Sequence, residues 1–584
     1  MKRQFIYGAL GILALASCKE EPKIMDGNVV RVNQVGYYPN EEKTATVEAV
    51  GFADEYQLLD ADGKTVWKGT AVREATSEIS QKKRQVVDFS EIKTPGSYTL
   101  VAGKYAQPIV IADRALEGLA KGAMKAFYYQ RTATDIDEQH AGKWTRPAAH
   151  PDTEVLIHGS AASKSRPEGT VISSPGGWYD AGDYNKYIVN SGFSHGIMLC
   201  AYQMQPDHYA AYELNIPESG NATPDVLDEM LVNLRWMLTM QDPDDGGVYH
   251  KLTTPNFEGF VMPTEAVQPR YVVQKTTTAA LDFAATMAQA SRVYGKYPEY
   301  AEFVVQTLPA AEKAYAWAVR NNNVPYLQNK INEKFRPAIN TGAYDDMSFG
   351  DEFFWAATEL YLSTGKETYL DDVKKNIPQS YTLPTWGNVA SLGIFDWINA
   401  SLNNDNAVAK EMAAVFSQSL IGYCEEIIKR RDGSCFQSPY GNKVSDFYWG
   451  SLAEGCCCMG VTFLYANALT GNRDYVIAAL ENANYMLGQN ATGYSYVTGF
   501  GTRPFKNPHH RISEADGIDE PFPGLLSGGP NPGKQDQSTC PYYTSDFADE
   551  CYADNMNSYA SNEIAINWNA SLVAMVGWLD ALLK

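Results

Sequence analysis

The sequence predicts a mainly α-helical protein, a large helical domain preceded by a small all-β sandwich. Hydrophobic residues recur with a period of about two from Val29 to Ala112 and of about 3.6 after Arg114. The chain of 584 residues is also several times longer than a typical domain, so a small module beside a larger core is expected.

The chain starts with Lys2 and Arg3, followed by an apolar run from Phe5 to Ala16 and small residues before Cys18. This pattern reads as a secretion signal over residues 1–17, to be left out of the fold. Leu15-Ala16-Ser17-Cys18 resembles the lipobox of bacterial lipoproteins, which implies cleavage before Cys18 and acylation of that residue. Several acyl chains on one residue make a stable anchor. Residues 18–28 would then be a tether. Lys19-Glu20-Glu21 resembles an acidic tag for the outer face of the outer membrane, so a lipid-anchored, cell-surface location is expected. An ordinary signal peptide with an incidental cysteine is the other reading. No later run is expected to reach the roughly 18 apolar residues that a spanning helix needs.

Residues 29–113 hold short alternating runs such as Val29-Val30-Arg31-Val32, Val86-Val87-Asp88-Phe89 and Tyr98-Thr99-Leu100-Val101, separated by Asp62-Gly63 and Pro95-Gly96. Roughly seven strands in two antiparallel sheets fit this pattern. No cluster of His, Asp or Glu with catalytic spacing occurs there, so a structural or spacer module is expected.

Residues 114–584 read as helices joined by long loops. Leu227, Met230, Leu231, Leu234, Met237 and Leu238 form one apolar stripe, and comparable stretches begin near Thr277, Asp351, Ala407, Gly450, Asp474 and Glu563. About ten or more such helices need a closed arrangement to bury their stripes. Loops rich in Gly, Pro, Asp and Tyr, notably 173–187 and 492–554, are long enough to be functional. Eight cysteines follow Cys18. Adjacent Cys456, Cys457 and Cys458 read as buried small hydrophobes, and Cys540 with Cys551 is the best loop-closing disulfide pair.

Lys and Arg number 48 against 69 Asp and Glu, a net charge of −21, and no basic stretch is interleaved with aromatics. Nucleic acid is therefore not an expected partner. The 37 Tyr and 11 Trp supply flat faces suited either to sugar rings or to core packing.

The chemistry lies in three strings. Gly176-Gly177-Trp178-Tyr179-Asp180-Ala181-Gly182-Asp183-Tyr184 places two aspartates three apart, with small residues between them that let a substrate and a water approach. By itself such a pair also fits a turn or a helix cap. Ser495-Tyr496-Val497-Thr498-Gly499-Phe500-Gly501-Thr502-Arg503 continues through Asn507-Pro508-His509-His510-Arg511, and Tyr552-Ala553-Asp554 leads to Tyr559, Glu563, Ala565, Asn569 and Ala570. In order and spacing the three strings resemble the signatures of glycoside hydrolase family 9. Asn33-Gln34-Val35-Gly36-Tyr37 resembles the start of the immunoglobulin-like module that precedes the catalytic domain in one branch of that family.

The resemblance implies an (α/α)6 barrel catalytic domain behind an immunoglobulin-like sandwich, and inverting hydrolysis of β-1,4-linked glucan. Two carboxyl groups divide that work, one activating water and one protonating the leaving oxygen. Carried over, Asp183 is the general base, Asp180 helps hold the attacking water and Glu563 is the general acid. His509 and Arg511 bind hydroxyls near the cleaved bond, and Asp554 supports the Glu563 loop. Tyr559 and Trp568 help make the apolar setting that keeps Glu563 protonated. His250 and Trp449 resemble sugar-contacting positions. No cofactor is implied.

Two departures concern metals. Relatives with this module often bind zinc after a Tyr-Gln-Arg stretch, yet Tyr129-Gln130-Arg131 is followed by Thr132, and Ala149 stands before His150 where a cysteine is expected. Without thiolates no zinc site is expected. Asp351-Glu352 resembles a calcium-holding pair, but Trp386 is followed by Gly387 rather than Asp. Ion-pair or capping roles for Asp351 and Glu352 stand beside calcium, and no metal is assigned.

Two other readings remain: a non-hydrolytic surface glycan-binding lipoprotein, and a polysaccharide lyase on the same kind of barrel. The lyase chemistry favours Tyr, His and basic residues facing an acidic polymer, which suits this acidic chain poorly. Soluble polymers such as xyloglucan or mixed-linkage glucan are expected ahead of crystalline cellulose, because no cellulose-binding module or low-complexity linker is visible. Cys18→Ala is expected to release the protein from membranes while hydrolysis of soluble β-glucan continues. Membrane fractionation with a reducing-sugar assay checks this, and equal membrane retention would overturn the lipoprotein reading.

Overall fold

The computed structural model describes residues 23–24, 29–403 and 406–584. The signal segment, Cys18 and most of the tether lie outside the described residues. Two sheets form the N-terminal sandwich. One runs β1-β9-β8-β4-β5, from β1 (Lys23–Ile24), β4 (Tyr56–Leu59), β5 (Thr65–Gly69), β8 (Gly96–Ala102) and β9 (Tyr105–Ile111). The other runs β2-β3-β7-β6, from β2 (Val30–Arg31), β3 (Thr44–Glu48), β6 (Ala71–Thr76) and β7 (Lys83–Asp88). Alternation sends Ala45, Val47, Tyr56, Leu58, Val87 and Leu100 inward to a shared core in which each is fully buried.

Twelve longer helices among the described residues alternate between two rings. The inner ring holds α2 (Ile188–Met204), α4 (Thr277–Tyr294), α6 (Gly350–Thr364), α8 (Ala390–Asn403), α10 (Cys458–Thr470) and α12 (Ile566–Leu583). Each inner helix packs on the next, and α12 packs back on α2, which closes the barrel. The outer ring holds α1 (Glu117–Tyr129), α3 (Asp225–Thr239), α5 (Ala301–Arg320), α7 (Glu367–Lys375), α9 (Ala407–Ile427) and α11 (Asp474–Met486). Outer helices bury one stripe. In α3, Leu227, Met230, Leu234 and Met237 are fully buried while Arg235 is exposed. Inner helices are covered on every side: in α12 every residue from Ile566 to Asp580 is buried.

That all-round burial corrects one expectation. The segments Leu452–Thr470 and Ile566–Leu583 are long and apolar enough to cross a membrane, but they form the buried centre of the barrel. The cysteines bring a second correction. Cys456, Cys457 and Cys458 are buried, as their apolar context implies, whereas Cys540 and Cys551 are free thiols and not a disulfide. The Cys551 thiol instead donates to the Asn531 carbonyl at 3.1 Å.

The sandwich is docked tightly on the barrel. The Gln34 amide donates to the Leu487 carbonyl at 3.0 Å, and Asn33 Nδ2 donates to Asn484 Oδ1 at 2.8 Å. Gly488 must be glycine here: its φ is +126°, and a Cβ would lie 2.3 Å from Gln34 Nε2. Tyr38 donates to Asp580 Oδ1 of α12 at 2.9 Å, and Thr46 to the Cys435 carbonyl at 2.7 Å. Arg84, fully buried, pairs with Glu48 at 2.9 Å, reaches Glu550 at 3.7 Å and lies over the Phe436 ring. Removing one partner of such a buried set strands the other charge, at a cost of about 3 kcal/mol or more. Arg84→Ala is therefore expected to lower the unfolding free energy by about 3 kcal/mol in equilibrium denaturation, with Arg84→Met, which keeps packing, losing less. An unchanged midpoint for Arg84→Ala would show that its contacts with Glu48, Glu550 and Phe436 do not hold the sandwich on the barrel.

Candidate active site

The segments that precede all six inner helices meet at one mouth of the barrel. They line a cavity of about 400 Å³ with Asp180, Asp183 and Tyr187 ahead of α2, Phe257 ahead of α4 and Tyr344 ahead of α6. Trp386 ahead of α8, Trp449 and Glu454 ahead of α10, and Glu563 with Asn567 and Trp568 at the start of α12 complete it. A larger space of about 1010 Å³ lies between sandwich and barrel, but it contains neither Asp183 nor Glu563.

Backbone bonds bring the three sequence strings together. The Ile566 amide donates to the Asp180 carbonyl at 2.8 Å, and Ala181 pairs with Ala565. The His509 amide donates to the Asn562 carbonyl at 2.9 Å, so His509 runs beside Glu563. Gly182 allows the crossing of the first two strings, because a Cβ there would lie 2.0 Å from the His509 carbonyl oxygen. Asp554 accepts from the amides of Lys506 at 3.1 Å and Asn507 at 2.8 Å, and from Asn562 Nδ2 at 3.4 Å. It braces both the His509 and the Glu563 segments without entering the cavity.

The carboxyls differ in environment. Glu563 has a pKa well above the usual carboxylate range, because burial disfavours its charge and the Asp183 charge adds to this, with Arg511 opposing. Asp183 is 5% exposed and its Oδ2 accepts from Asn185 Nδ2 and, at 3.3 Å, from the Tyr187 hydroxyl. Asp180 accepts from Asn190 at 2.7 Å and from the Tyr344 hydroxyl at 2.8 Å. Burial, then the charge of Asp183, pushes Asp180 up to about 8.

His509 Nδ1 bonds the Met556 carbonyl at 2.6 Å, which assigns its proton to Nδ1. Nε2 then has no partner among the described residues, and burial lowers the ring pKa to about 4, so the imidazole is neutral. Arg511 spends Nε on the Glu258 carbonyl at 2.8 Å and Nη1 on the Gly182 carbonyl at 2.7 Å, leaving Nη2 over. Trp449 is 41% exposed on the cavity wall and its ring lies 5.4 Å from that of Tyr559. Tyr559 also faces His509, at 5.9 Å, and Trp568 is 7% exposed on the wall.

His250 is corrected. It is 1% exposed, its nitrogens are taken by Thr276 Oγ1 at 3.0 Å and the Ala343 carbonyl at 2.8 Å, and its ring stacks on Tyr326. No edge remains for a sugar. It pins the loop that carries Tyr344, as does Lys251, whose ammonium bonds the Gly342 carbonyl at 2.6 Å. The sequence reading also missed Tyr187, Phe257, Tyr344, Trp386, Glu454 and Asn567 on the wall. Tyr344 is held at a φ of +47°, a strained value for a bulky side chain, and its hydroxyl reaches Asp180. Nothing in its sequence neighbourhood signals that role.

Asp351 and Glu352 lie at the start of α6. Asp351 accepts from the Val389 amide at 2.9 Å, while both oxygens of Glu352 and of Asp282 are buried without a hydrogen-bond partner. Glu352 has no cationic partner among the described residues, and burial, with the neighbouring acidic charges adding, keeps it and Asp282 well above the usual carboxylate range. Oxygen donors of this kind suit a hard cation such as calcium, although no group of three or more His, Cys, Asp or Glu among the described residues is arranged to hold one.

Comparisons with known proteins agree with this geometry. Residues 117–576 match the model of glycosyl hydrolase family 9, and residues 26–107 match the cellulase N-terminal ig-like domain. A xyloglucan-specific endo-beta-1,4-glucanase of Bacteroides ovatus, BoGH9A, is 52% identical over 99% of this chain and 98% of its own. Endoglucanase D of Acetivibrio thermocellus is 34% identical over 94% of this chain and 83% of its own. Among solved structures, a Bacteroides ovatus GH9 protein superposes with a TM-score of 0.91 at 51% identity, covering 96% of this chain and 100% of that one. An endoglucanase of Alicyclobacillus acidocaldarius gives 0.84 at 28% identity, covering 95% and 99%. With its sandwich, its closed double ring of helices and the carboxyls gathered at one mouth, the chain belongs to glycosyl hydrolase family 9.

Proposed function

We propose that this protein is an inverting endo-β-1,4-glucanase that acts on soluble β-glucans, xyloglucan first among them, from a lipid anchor at Cys18 on the cell surface. One observation carries the catalytic part: two carboxyls share a cavity in unlike surroundings, Glu563 buried with a raised pKa and Asp183 hydrogen-bonded by Asn185 and Tyr187. Glu563, held protonated by burial, gives its proton to the glycosidic oxygen as the bond to the anomeric carbon breaks. Asp183, in a polar setting, takes a proton from a water that bonds to the anomeric carbon from the opposite face. Asp180 holds that water. The neutral His509 Nε2 and Arg511 Nη2 are free to meet hydroxyls, and Trp449, Trp386 and Trp568 offer faces to the sugar rings.

Xyloglucan is supported by the name of the 52% identical relative, which spans nearly the whole chain. The signal pattern ending at Cys18 supports the anchor. A non-hydrolytic glycan-binding role is disfavoured, since all the carboxyls that the chemistry needs are present and gathered.

Inversion requires room for a water, so the two carboxyl groups are expected about 6.5–9.5 Å apart with substrate bound, and the first product is the α-anomer. Asp183→Asn and Glu563→Gln are each expected to lower turnover by at least about 10² to 10⁴ while glycan binding persists. NMR of fresh hydrolysate showing β-anomer first, or either variant near normal turnover, would sink the assignment. Because Glu563 acts in its protonated form and its pKa is raised, activity is expected to extend above the pH range of an ordinary carboxylic acid and to fall as pH rises through that raised pKa. A kcat profile in which Glu563 titrates at an ordinary carboxylate pKa would contradict this.

A further inference from the structure

The cavity is lined by two carboxyls that hydrolysis does not use, the exposed Asp345 and the half-buried Glu454. Glu454 lines it together with Trp449, Glu563, Asn567 and Trp568. It sits in a π-helical turn, Leu452–Cys457, that runs directly into α10. Such widened turns are uncommon and concentrate at functional sites. This one starts from a fixed point: the amides of Ala453 and Glu454 donate to the Gly450 carbonyl at 3.0 and 3.1 Å. Gly450 has a φ of +84°, and a Cβ there would lie 2.7 Å from Trp568 Nε1. The turn, the exposed Trp449 and the wall residue Trp568 are thus locked as one unit.

Glu454 makes no hydrogen bond or ion pair among the described residues, although it is half-buried. Burial alone pushes its carboxyl up to about 8, so near neutrality it is mainly a neutral acid with one O–H to donate and oxygens to accept. Asn567, at the start of α12, is a second polar group without a side-chain partner, and a more deeply buried one. It lines the same cavity, is 2% exposed, and its Oδ1 is buried with no partner. Leaving buried polar atoms unsatisfied is costly, and a polyhydroxyl ligand supplies the missing partners.

We propose that Glu454 and Asn567 form a sugar-binding pair, in which Glu454 hydrogen-bonds hydroxyls of the ring that stacks on Trp449 and Asn567 Oδ1 accepts from an adjacent hydroxyl. This rests on the glucan reading of the cavity. The pair contributes to affinity for the chain and takes no part in breaking the bond, because water activation and leaving-group protonation are already assigned to Asp183 and Glu563. It therefore acts on KM and Kd.

The test compares Glu454→Gln, which keeps a donor and an acceptor, with Glu454→Met, which keeps length but has neither. Rates are measured on soluble xyloglucan, cello-oligosaccharide affinity by calorimetry in a Glu563→Gln background, and folding by thermal midpoint. Glu454→Met is expected to raise KM and Kd about tenfold with kcat within about threefold and the midpoint unchanged, and Glu454→Gln to stay within about threefold of the parent. Unchanged KM and Kd in Glu454→Met would overturn the proposal, as would a large fall in kcat at constant KM. A lowered midpoint without an affinity change would show a merely structural role and overturn it too. A parent enzyme that neither bound nor cleaved any glucan would overturn the reading of the cavity itself, whatever the variants did.

Discussion

Burial of the six inner helices on every side is the constraint from which the site follows. A helix wrapped by neighbours has no flank on which to display polar chemistry, so functional groups are confined to its ends and the adjoining loops. Alternation of inner and outer helices makes the inner ones run the same way, so the segments ahead of α2, α4, α6, α8, α10 and α12 share one mouth. Six converging helix N-termini also place their positive dipole ends there, which favours negative charge. At this mouth Asp183 accepts hydrogen bonds from Asn185 and Tyr187 beside a Glu563 whose pKa burial raises. The barrel supplies a place, and the loops supply the chemistry.

Much of this was legible in the chain because the signals were local. The shift in hydrophobic period at Arg114 marked the boundary between sandwich and helices, and small residues around Asp180 and Asp183 marked a loop that something must approach. The residues that escaped were those whose role depends on ring closure. Tyr344 and Trp386 reach the mouth from opposite ends of α6 and α7, and nothing in their own neighbourhoods reports that meeting. His250 shows the converse: a polar ring in a Gly- and Asp-rich stretch looks available, but sequence shows polarity and not direction, and both nitrogens face inward. Cys540 and Cys551 failed similarly, since proximity along a loop does not aim two thiols at each other.

The sandwich, which carries no reacting group, shares in the site through intermediaries. Arg84 and Lys82 hold Glu550, four residues ahead of Asp554, and Asp554 in turn fixes the amides of Lys506 and Asn507 just before His509. Gln34 grips the neighbouring stretch through the Leu487 and Gly493 carbonyls and the Arg503 amide. The module therefore works as a buttress for the two C-terminal strings rather than as an independent unit.

Helix α12 gives the molecule an order of assembly. It follows Glu563, and it fills the gap between α10 and α2 while taking a hydrogen bond from Tyr38 of the sandwich. Until α12 has been synthesised, the barrel is an open crescent with the apolar flanks of two inner helices uncovered, and the sandwich lacks one of its anchors. The bond from Tyr38 to Asp580 spans 542 residues of chain, and the packing of α12 on α2 is also long-range, the slowest kind of contact to form. A nascent chain therefore has a long interval in which aggregation competes with closure, and its cavity is incomplete in that interval, because Glu563, Asn567 and Trp568 arrive with the piece that shuts the ring.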